Sequence, residues 1–547
     1  MQRTATEVHS EALRRAYALV EAAQDRDVAG EIDALEVDAD ERAWDDVRCL
    51  LHFARSLAAR EVGADDSAPL RAMRVSAEVL GDPALLALAL AVGELRRCEA
   101  RQPSEPDQFG ATPLVRAVVL LDAAAGLAVH RAAAHIEVGI TFHTLGLWEL
   151  ATEQYDLAET ALAASAESAW LEVARRQRRA IAVNRIDAVL DWACALAEVD
   201  EWDAAAPLAR AAQWDAVNSI DHEWPATWVA QVHAAADLLA ALAGEPSRAD
   251  RTSAGTGGGD LRDATSLVLS TVAVAVRAAR AGQWDHAAAL AAGCVNRIGP
   301  IAPPHVRLLA MNLAAHGPGQ SEAALAYARE LATLRWNNRF DRLASARVAV
   351  QAERRRFEHE QLRRQALVDD LTGLANRRAY NAYVDGLRRN GVHLLSDAVE
   401  PDQQPADVAV MMLDVDLFKG INDTFGHDVG DQVLRRIGTV LAAHVRTTDL
   451  AARLGGDEFV VVLADAPAGL PEARAQQILD AIRDHAWGDI APGLTVSVSL
   501  GLQCGQAGRL FELLSDADRN LYRAKRGGRG RVTGEPGRPA PDDDPEG

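Results

Sequence analysis

Lysine is almost missing from this chain. Its 547 residues include 57 basic side chains, yet only two are lysines, Lys419 and Lys525. A chain with so few compact ammonium groups has little use for them as generic surface charge. The two that remain are candidates for point charges at phosphate. An excess of positive charge is missing as well. The net charge of -22 excludes a general nucleic-acid or anionic-membrane binder, and an anionic substrate would need local basic groups. The five cysteines, Cys49, Cys98, Cys194, Cys294 and Cys504, are scattered and form no CxxC pair. That provides no zinc or disulfide framework and fits a reducing compartment. Long apolar runs are absent too. The apolar, uncharged stretch "ATSLVLSTVAVAV" from Ala264 falls well short of the roughly 18–20 residues of a bilayer span. The start, "MQRTATEVHSEALRR", has no apolar signal region, so the expected location is the cytoplasm.

What is present is helix. Residues 1–335 are rich in Ala and Leu, with apolar positions three and four apart and hardly any alternation. A weak repeat runs through them: "GLWELATEQYDLA" from Gly146, "DEWDAAAPLARAA" from Asp200, "GQWDHAAALAAGC" from Gly282 and, more faintly, "GQSEAALAYAREL" from Gly319. Each copy has a turn, then Trp148, Trp202, Trp284 or Ser321, and three positions later a small residue, Ala151, Ala205, Ala287 or Ala324. This pattern resembles the turn and second helix of tetratricopeptide repeats, although the intervals between copies are irregular. The resemblance implies an all-α region that binds a protein partner or self-associates. "GEPSRADRTSAGTGGGD" (Gly244 to Asp260) has the composition of a surface loop.

Residues 336–368 are charged, free of Pro and Gly, and dense in helix formers. They predict one long connector helix. Leu343, Val350 and Phe357 recur every seven residues before Arg364 breaks the series, so the segment reads as a parallel coiled coil or as a solvated connector. From 369 to 533, helical stretches alternate with short β-like runs at "VAVMMLDVD", "EFVVVLAD" and "LTVSVSLGL", which predicts an α/β or α+β domain. Residues 534–547 are rich in Pro, Gly and Asp and read as a disordered tail.

The chemistry-bearing residues lie in 369–533. Asp414 and Asp416 close an apolar run, and only one of them is expected to share a site beyond that strand end. Asp457 and Glu458 follow a Gly-Gly turn and enter a second apolar run. If the two strands are neighbours, one Asp from each can converge. Such a pair of hard carboxylates suits Mg²⁺ or Mn²⁺ carrying substrate phosphate. Lys419 lies just past the first acids, and "YRAKRGGRGR" places Lys525 and Arg529 beside a Gly-rich segment where backbone can approach an anion. Acids, a metal and isolated cations together point to a nucleotide phosphate.

These residues and their order identify a family resemblance. The segment from Asp369 to about Val532 resembles the GGDEF diguanylate cyclase domain, on "DDLTGLANRR", "DVDLFKGIND", "GHDVGD", "RLGGDEF" and "LYRAKRGGR". The resemblance implies a ferredoxin-like palm domain that condenses two GTP into cyclic di-GMP with release of pyrophosphate, two metal ions per site, and catalysis at a homodimer. It implies that Asp414, the Val415 carbonyl and Asp457 hold metal. Asp457 would also assist deprotonation of the attacking hydroxyl, with Glu458 in support. Asn422 and Asp431 would read the guanine edge, His427 would contact substrate, and Lys419, Lys525 and Arg529 would lie near the phosphates. Gly455 and Gly456 would let the nucleotide lie against bare backbone. "RTTD" matches the family's product-inhibition motif through Arg446 and Asp449. The connection at 396–407 is longer and more polar than the family's usual one. The other reading is a degenerate domain that only binds cyclic di-GMP or GTP; the survival of both signature acids and the guanine-reading residues weighs against it.

Overall fold

The computed structural model describes residues 4–100, 112–163, 168–220, 224, 226–246, 264–295, 303–319, 321–390, 407–446, 448–464, 466–467, 469–506 and 509–535. The loop expected after Gly244, the polar connection before Asp407 and the C-terminal tail lie largely outside these residues. The chain divides into two compact units, Met1–Arg356 and Phe357–Gly547.

The first unit is helical throughout its described residues. Two apolar clusters hold it together. One is built from helices between Ala5 and Leu171–Glu198, the other from Leu171–Glu198 onward to Pro304–Ala314. The repeated segments share one local geometry. Gly146, Asp200 and Gly282 have φ of 70°, 66° and 74°. The amide after each donates to a carbonyl five residues back: Leu147 to Phe142, Glu201 to Leu196 and Gln283 to Ala278, all at 2.9 Å. This is the left-handed closure that satisfies the last carbonyls of a helix. The next helix then starts at Trp148, Trp202 or Trp284, and Ala151, Ala205 and Ala287 are fully buried where it meets its neighbours. The faint fourth copy departs: Gly319 has φ 82°, but Ala324 is exposed. A further instance lacks the glycine. Ala43 takes φ 53°, Trp44 donates to the Ala39 carbonyl at 2.9 Å, and Val47 is buried.

The predicted connector is longer than its charged segment. One helix runs from Glu322 to Gln365. Its Leu343, Ala346 and Val350 are buried in the first unit's own cluster. Two of the three residues in the seven-residue series are therefore covered by the first unit itself, while Val348 and Leu362 on the same helix are 69% and 64% exposed. Polar contacts follow the same face. Arg335 meets Glu198, Arg339 meets Glu149 at 2.6 Å, Arg342 donates to the Leu145 carbonyl at 2.7 Å, and Arg354 meets Asp122 at 2.7 Å. The Arg339 guanidinium lies 4.3–5.0 Å from the ring centres of Trp336, Phe340 and Trp148, a caged cation. No described helix of either unit is long and apolar enough to cross a membrane.

The second unit is built on a six-stranded mixed sheet in the order β1-β3-β4-β2-β5-β6, with β1 at Ala375–Asn376, β2 at Asp407–Val415, β3 at Leu450–Gly455, β4 at Glu458–Leu463, β5 at Val498–Gln506 and β6 at Val532–Glu535. The middle strands are antiparallel; β1 and β6 add parallel edges. Strand side chains alternate between faces. Odd positions Ala409, Met411, Leu413, Phe459 and Val461 join a cluster with helices His427–Ala443 and Leu470–Arg483. Even positions Val408, Val410, Val460 and Val462 join one with helices Arg377–Asn390 and Leu510–Arg526. Both faces are thus covered, which is why β2 and β4 read as continuous apolar runs. Gly501 permits the close fit of Leu510–Arg526: a Cβ there would lie 2.1 Å from the Ala517 carbonyl oxygen.

Candidate functional site

The sheet register places the acids. Asp414, the penultimate residue of β2, stands opposite Glu458 on β4 and Ser499 on β5. Gly455 and Gly456 take φ of 138° and 57°, so the hairpin turns on Gly456 and Asp457. Asp457 therefore sits in the turn, and β4 starts at Glu458. Its carbonyl accepts from the Val415 amide at 3.3 Å, which ties the turn to the end of β2. Asp414, Val415, Asp457 and Glu458 are brought together this way, with Lys525 at the end of Leu510–Arg526 placing its ammonium 2.7 Å from Asp414 Oδ2. Burial raises the Asp414 carboxyl above its usual range, and the Asp457 and Glu458 charges add to that against the stabilising Lys525.

Asp416 has a different task. Its carboxylate is buried and accepts from Ser497 Oγ at 2.7 Å, Ser499 Oγ at 2.6 Å and the Gly530 amide at 3.0 Å. It anchors the Gly-rich loop to the strand end, and Asp414 is left as the acid facing the turn. Arg529 lies in that anchored loop, exposed, with φ 59° and its amide donating to Ala524 at 3.1 Å.

A second group of residues surrounds Gly426. Leu417, with φ 55°, turns the chain into helix Phe418–Phe425, which carries exposed Lys419 and half-buried Asn422. Gly426 ends that helix, and His427 begins the next, with Asp431 one turn on. The Asn422 Oδ1 atom is buried and has no hydrogen-bonding partner among the described residues. It lies 1.9 Å from where a Cβ on Gly430 would be, so only glycine lets this amide approach the turn that carries Asp431. A buried amide oxygen without a donor is costly unless a ligand provides one.

The RTTD segment is built otherwise. The Asp449 carboxylate accepts from the Arg446 amide at 2.8 Å and the Ala464 amide at 3.1 Å. Its oxygens bind backbone at the open end of the β3–β4 hairpin, and the Arg446 guanidinium is exposed.

Residues that the sequence reading passed over hold the signature turn and its surroundings. Arg453 donates to the Gly456 carbonyl through Nε at 3.0 Å and Nη2 at 2.8 Å, and its Nη1 meets Asp369 at 3.1 Å. Asn376 Nδ2 donates to the Ala366 and Val368 carbonyls at 2.8 and 3.0 Å, while its Oδ1 caps helix Arg377–Asn390. The alternating Ser497 and Ser499 within an apolar stretch were a legible sign of a polar anchor; nothing in the spacing of Arg453 showed its target.

Among the described residues no three His, Cys, Asp or Glu side chains cluster as a ready metal cage. Two acids of one sign converging beside a backbone carbonyl, with an ammonium already drawn in, nevertheless fit the donor set of a hard divalent ion that keeps water and phosphate as further ligands.

Residues 366–531 match the sequence model described as "Diguanylate cyclase, GGDEF domain", and this part of the chain is a GGDEF domain. The chain is 38% identical over 205 residues to the response regulator PleD of Caulobacter vibrioides, covering 35% of this chain and 42% of that protein. It is 34% identical over 176 residues to diguanylate cyclase DgcS of Shewanella oneidensis, covering 32% of this chain and 54% of that protein. It thus spans about half or less of these relatives' length. Among solved structures it is similar to the coiled coil and GGDEF domain of DgcB from Caulobacter crescentus in complex with c-di-GMP, at 30% identity and a TM-score of 0.30, covering 36% of this chain and 98% of that one.

Proposed function

We propose that the chain is a diguanylate cyclase, joining two GTP into cyclic di-GMP and releasing two pyrophosphates. The observation that carries this reading is the convergence of Asp414, Asp457 and Glu458 at one strand end, tied by the Val415–Asp457 backbone bond. Asp414, the Val415 carbonyl and Asp457 would hold the metal, Mg²⁺ or Mn²⁺, two per site. When bound, it would neutralise charge developing on the phosphoryl oxygens. Asp457 takes the proton as the 3′-hydroxyl of one GTP attacks the α-phosphorus of the other; the bond to the pyrophosphate breaks, and the step repeats in the opposite sense to close the ring. Glu458 supports the same charge. Lys525 exchanges its contact with Asp414 for phosphate, and Lys419 and Arg529 lie at hand for the remaining oxygens. Asn422 meets the guanine edge with its unpartnered Oδ1, Asp431 accepts from the ring donors, and His427 adds a substrate contact. Gly455 and Gly456 leave room for the nucleotide.

One such domain holds one GTP, so the reaction needs a homodimer. We assign the domain the ferredoxin-like palm architecture, and the first unit a tetratricopeptide-like role in partner binding or self-association that controls the dimer. Arg446 and Asp449 would form the product-inhibition site. Purified protein incubated with GTP and Mg²⁺ yields cyclic di-GMP by chromatography, and Asp457→Ala does not. A wild type without product would demote the domain to a nucleotide receptor. For the inhibitory site, Arg446→Ala removes inhibition by added cyclic di-GMP relative to the variant's own uninhibited rate; inhibition that persists refutes that assignment.

A further inference from the structure

Helices Ala5–Ala22, Asp45–Glu61, Pro83–Ala100, Ala128–Thr144 and Leu171–Glu198 of the first unit surround a cavity of about 500 Å³. That is within the roughly 300–1,000 Å³ typical of small-molecule sites. Phe53, Ile136, Ile140 and Val173 provide apolar wall. Three arginines also line it, which at first suggests an anion site. Each is already matched: Arg60 to Glu99 at 2.7 Å, Arg96 to Asp66 at 2.9 Å and Glu99 at 2.6 Å, and Arg176 to Glu21 at 2.5 Å.

Two acceptors are left over. Gln177 is 7% exposed; its Nε2 donates to the Val129 carbonyl at 2.8 Å, which fixes the amide. Its Oε1 is buried without a partner among the described residues. The Glu137 side chain lines the same cavity and has no hydrogen bond from a described residue. Burial pushes its carboxyl up to about 7, against the pull of Arg96 and Arg60. The cavity therefore offers two acceptors that no described donor meets; of the buried donors on its wall without a hydrogen bond among the described residues, Tyr17 Oη is a neutral phenol and Arg96 Nε already faces Asp66 at 2.9 Å. An anion would find its arginines engaged, and a neutral apolar molecule would leave both acceptors bare.

We propose that this cavity binds a small organic cation, an ammonium group on an apolar body. The ammonium donates to Gln177 Oε1 and to the Glu137 carboxylate, and the body lies against Phe53, Ile136, Ile140 and Val173. A volume of about 500 Å³ is the scale of a small molecule. The other charged groups facing Glu137 are Arg60, Arg96 and Glu99, with Glu21 and Arg176 on the remaining walls. Because Glu137 must ionise to pair, binding releases a proton and tightens as pH rises through neutrality.

The experiment is calorimetric titration of the full chain with 2-phenylethylammonium and, as a neutral isostere, 2-phenylethanol. The ammonium binds, and the alcohol binds at least about tenfold more weakly. Glu137→Gln, equal in volume, weakens the ammonium by about tenfold and abolishes the rise in affinity between about pH 6 and pH 8. Gln177→Met weakens it through the second acceptor, and helicity by circular dichroism shows that both variants are folded. Equal affinity for ammonium and alcohol, no binding of either at millimolar concentration, or unchanged affinity in both variants overturns the proposal. The readout is binding at the first unit, so the result does not depend on catalysis.

Discussion

The two units use charge in opposite ways. In the helical unit arginines and carboxylates meet as partners: Arg176 with Glu21, Arg277 with Asp237, Arg339 with Glu149 and Arg354 with Asp122. At the signature hairpin, acids of one sign are gathered, with a single ammonium against Asp414. Paired charges fix how helices meet. Gathered like charges weaken the fold locally and are kept where a ligand can neutralise them. The same contrast recurs two residues apart, where Asp416 is fully engaged by donors and Asp414 is not.

The largest effect tests that pair. Asp414→Asn lowers the rate of cyclic di-GMP formation by about 10²–10³-fold or more, the scale of one preorganised electrostatic group, with little change in melting temperature. Asp416→Ala instead destabilises the second unit by about 2–4 kcal/mol, because it strands two hydroxyls and the Gly530 amide. A melt that ranks the two the other way breaks the distinction. Next, Arg453→Ala frees the Gly456 carbonyl and Asp369; the rate falls about tenfold to a hundredfold through misplacement of the turn. Since Arg453 acts by positioning, most of that loss lies in kcat rather than KM, and combining it with Asp369→Asn adds less than the sum. The helical side contains the smallest expected effect, at Leu362, beside a large one at Leu343. Leu343→Ala costs about 2–5 kcal/mol in denaturant unfolding of the first unit, whereas exposed Leu362→Ala on the same helix costs within about 0.5 kcal/mol. Equal costs would mean that the helix is not held where Leu343, Ala346 and Val350 are buried.

The helical and mixed-sheet halves were legible because their hydrophobic periods differ. The repeat was legible where Gly146, Asp200 or Gly282 and a tryptophan mark the turn, but the copy at Ala43 was hidden, since alanine there pays for a left-handed φ that only packing reveals. The acids could be read from the apolar run of β2, which stops in Asp, and from that of β4, which an Asp-Glu pair opens. That Asp457 is in the turn, one residue before the strand, depends on the bulge between Arg453 and Gly455, which spacing does not encode. The seven-residue series in the long helix was a true sign of burial. It was silent about the partner, because a stripe that packs on its own unit and one that pairs with a second copy have the same period. Asp449 carried the opposite lesson: a motif spacing says nothing of which oxygens the backbone has already taken.

The bonds around Asn376 and Arg453 turn the start of the second unit into a linkage with few degrees of freedom. Asn376 grips the carbonyls of Ala366 and Val368 just past the long helix, pairs through β1 with Arg453 on β3, and Arg453 grips the carbonyl of Gly456. A twist or axial slip at that helix end must be shared by the signature turn or must break one of these contacts. The tolerance of the signature turn to displacement at this helix end is therefore set by hydrogen bonds of about 3 Å, a far finer gauge than the length of the helix.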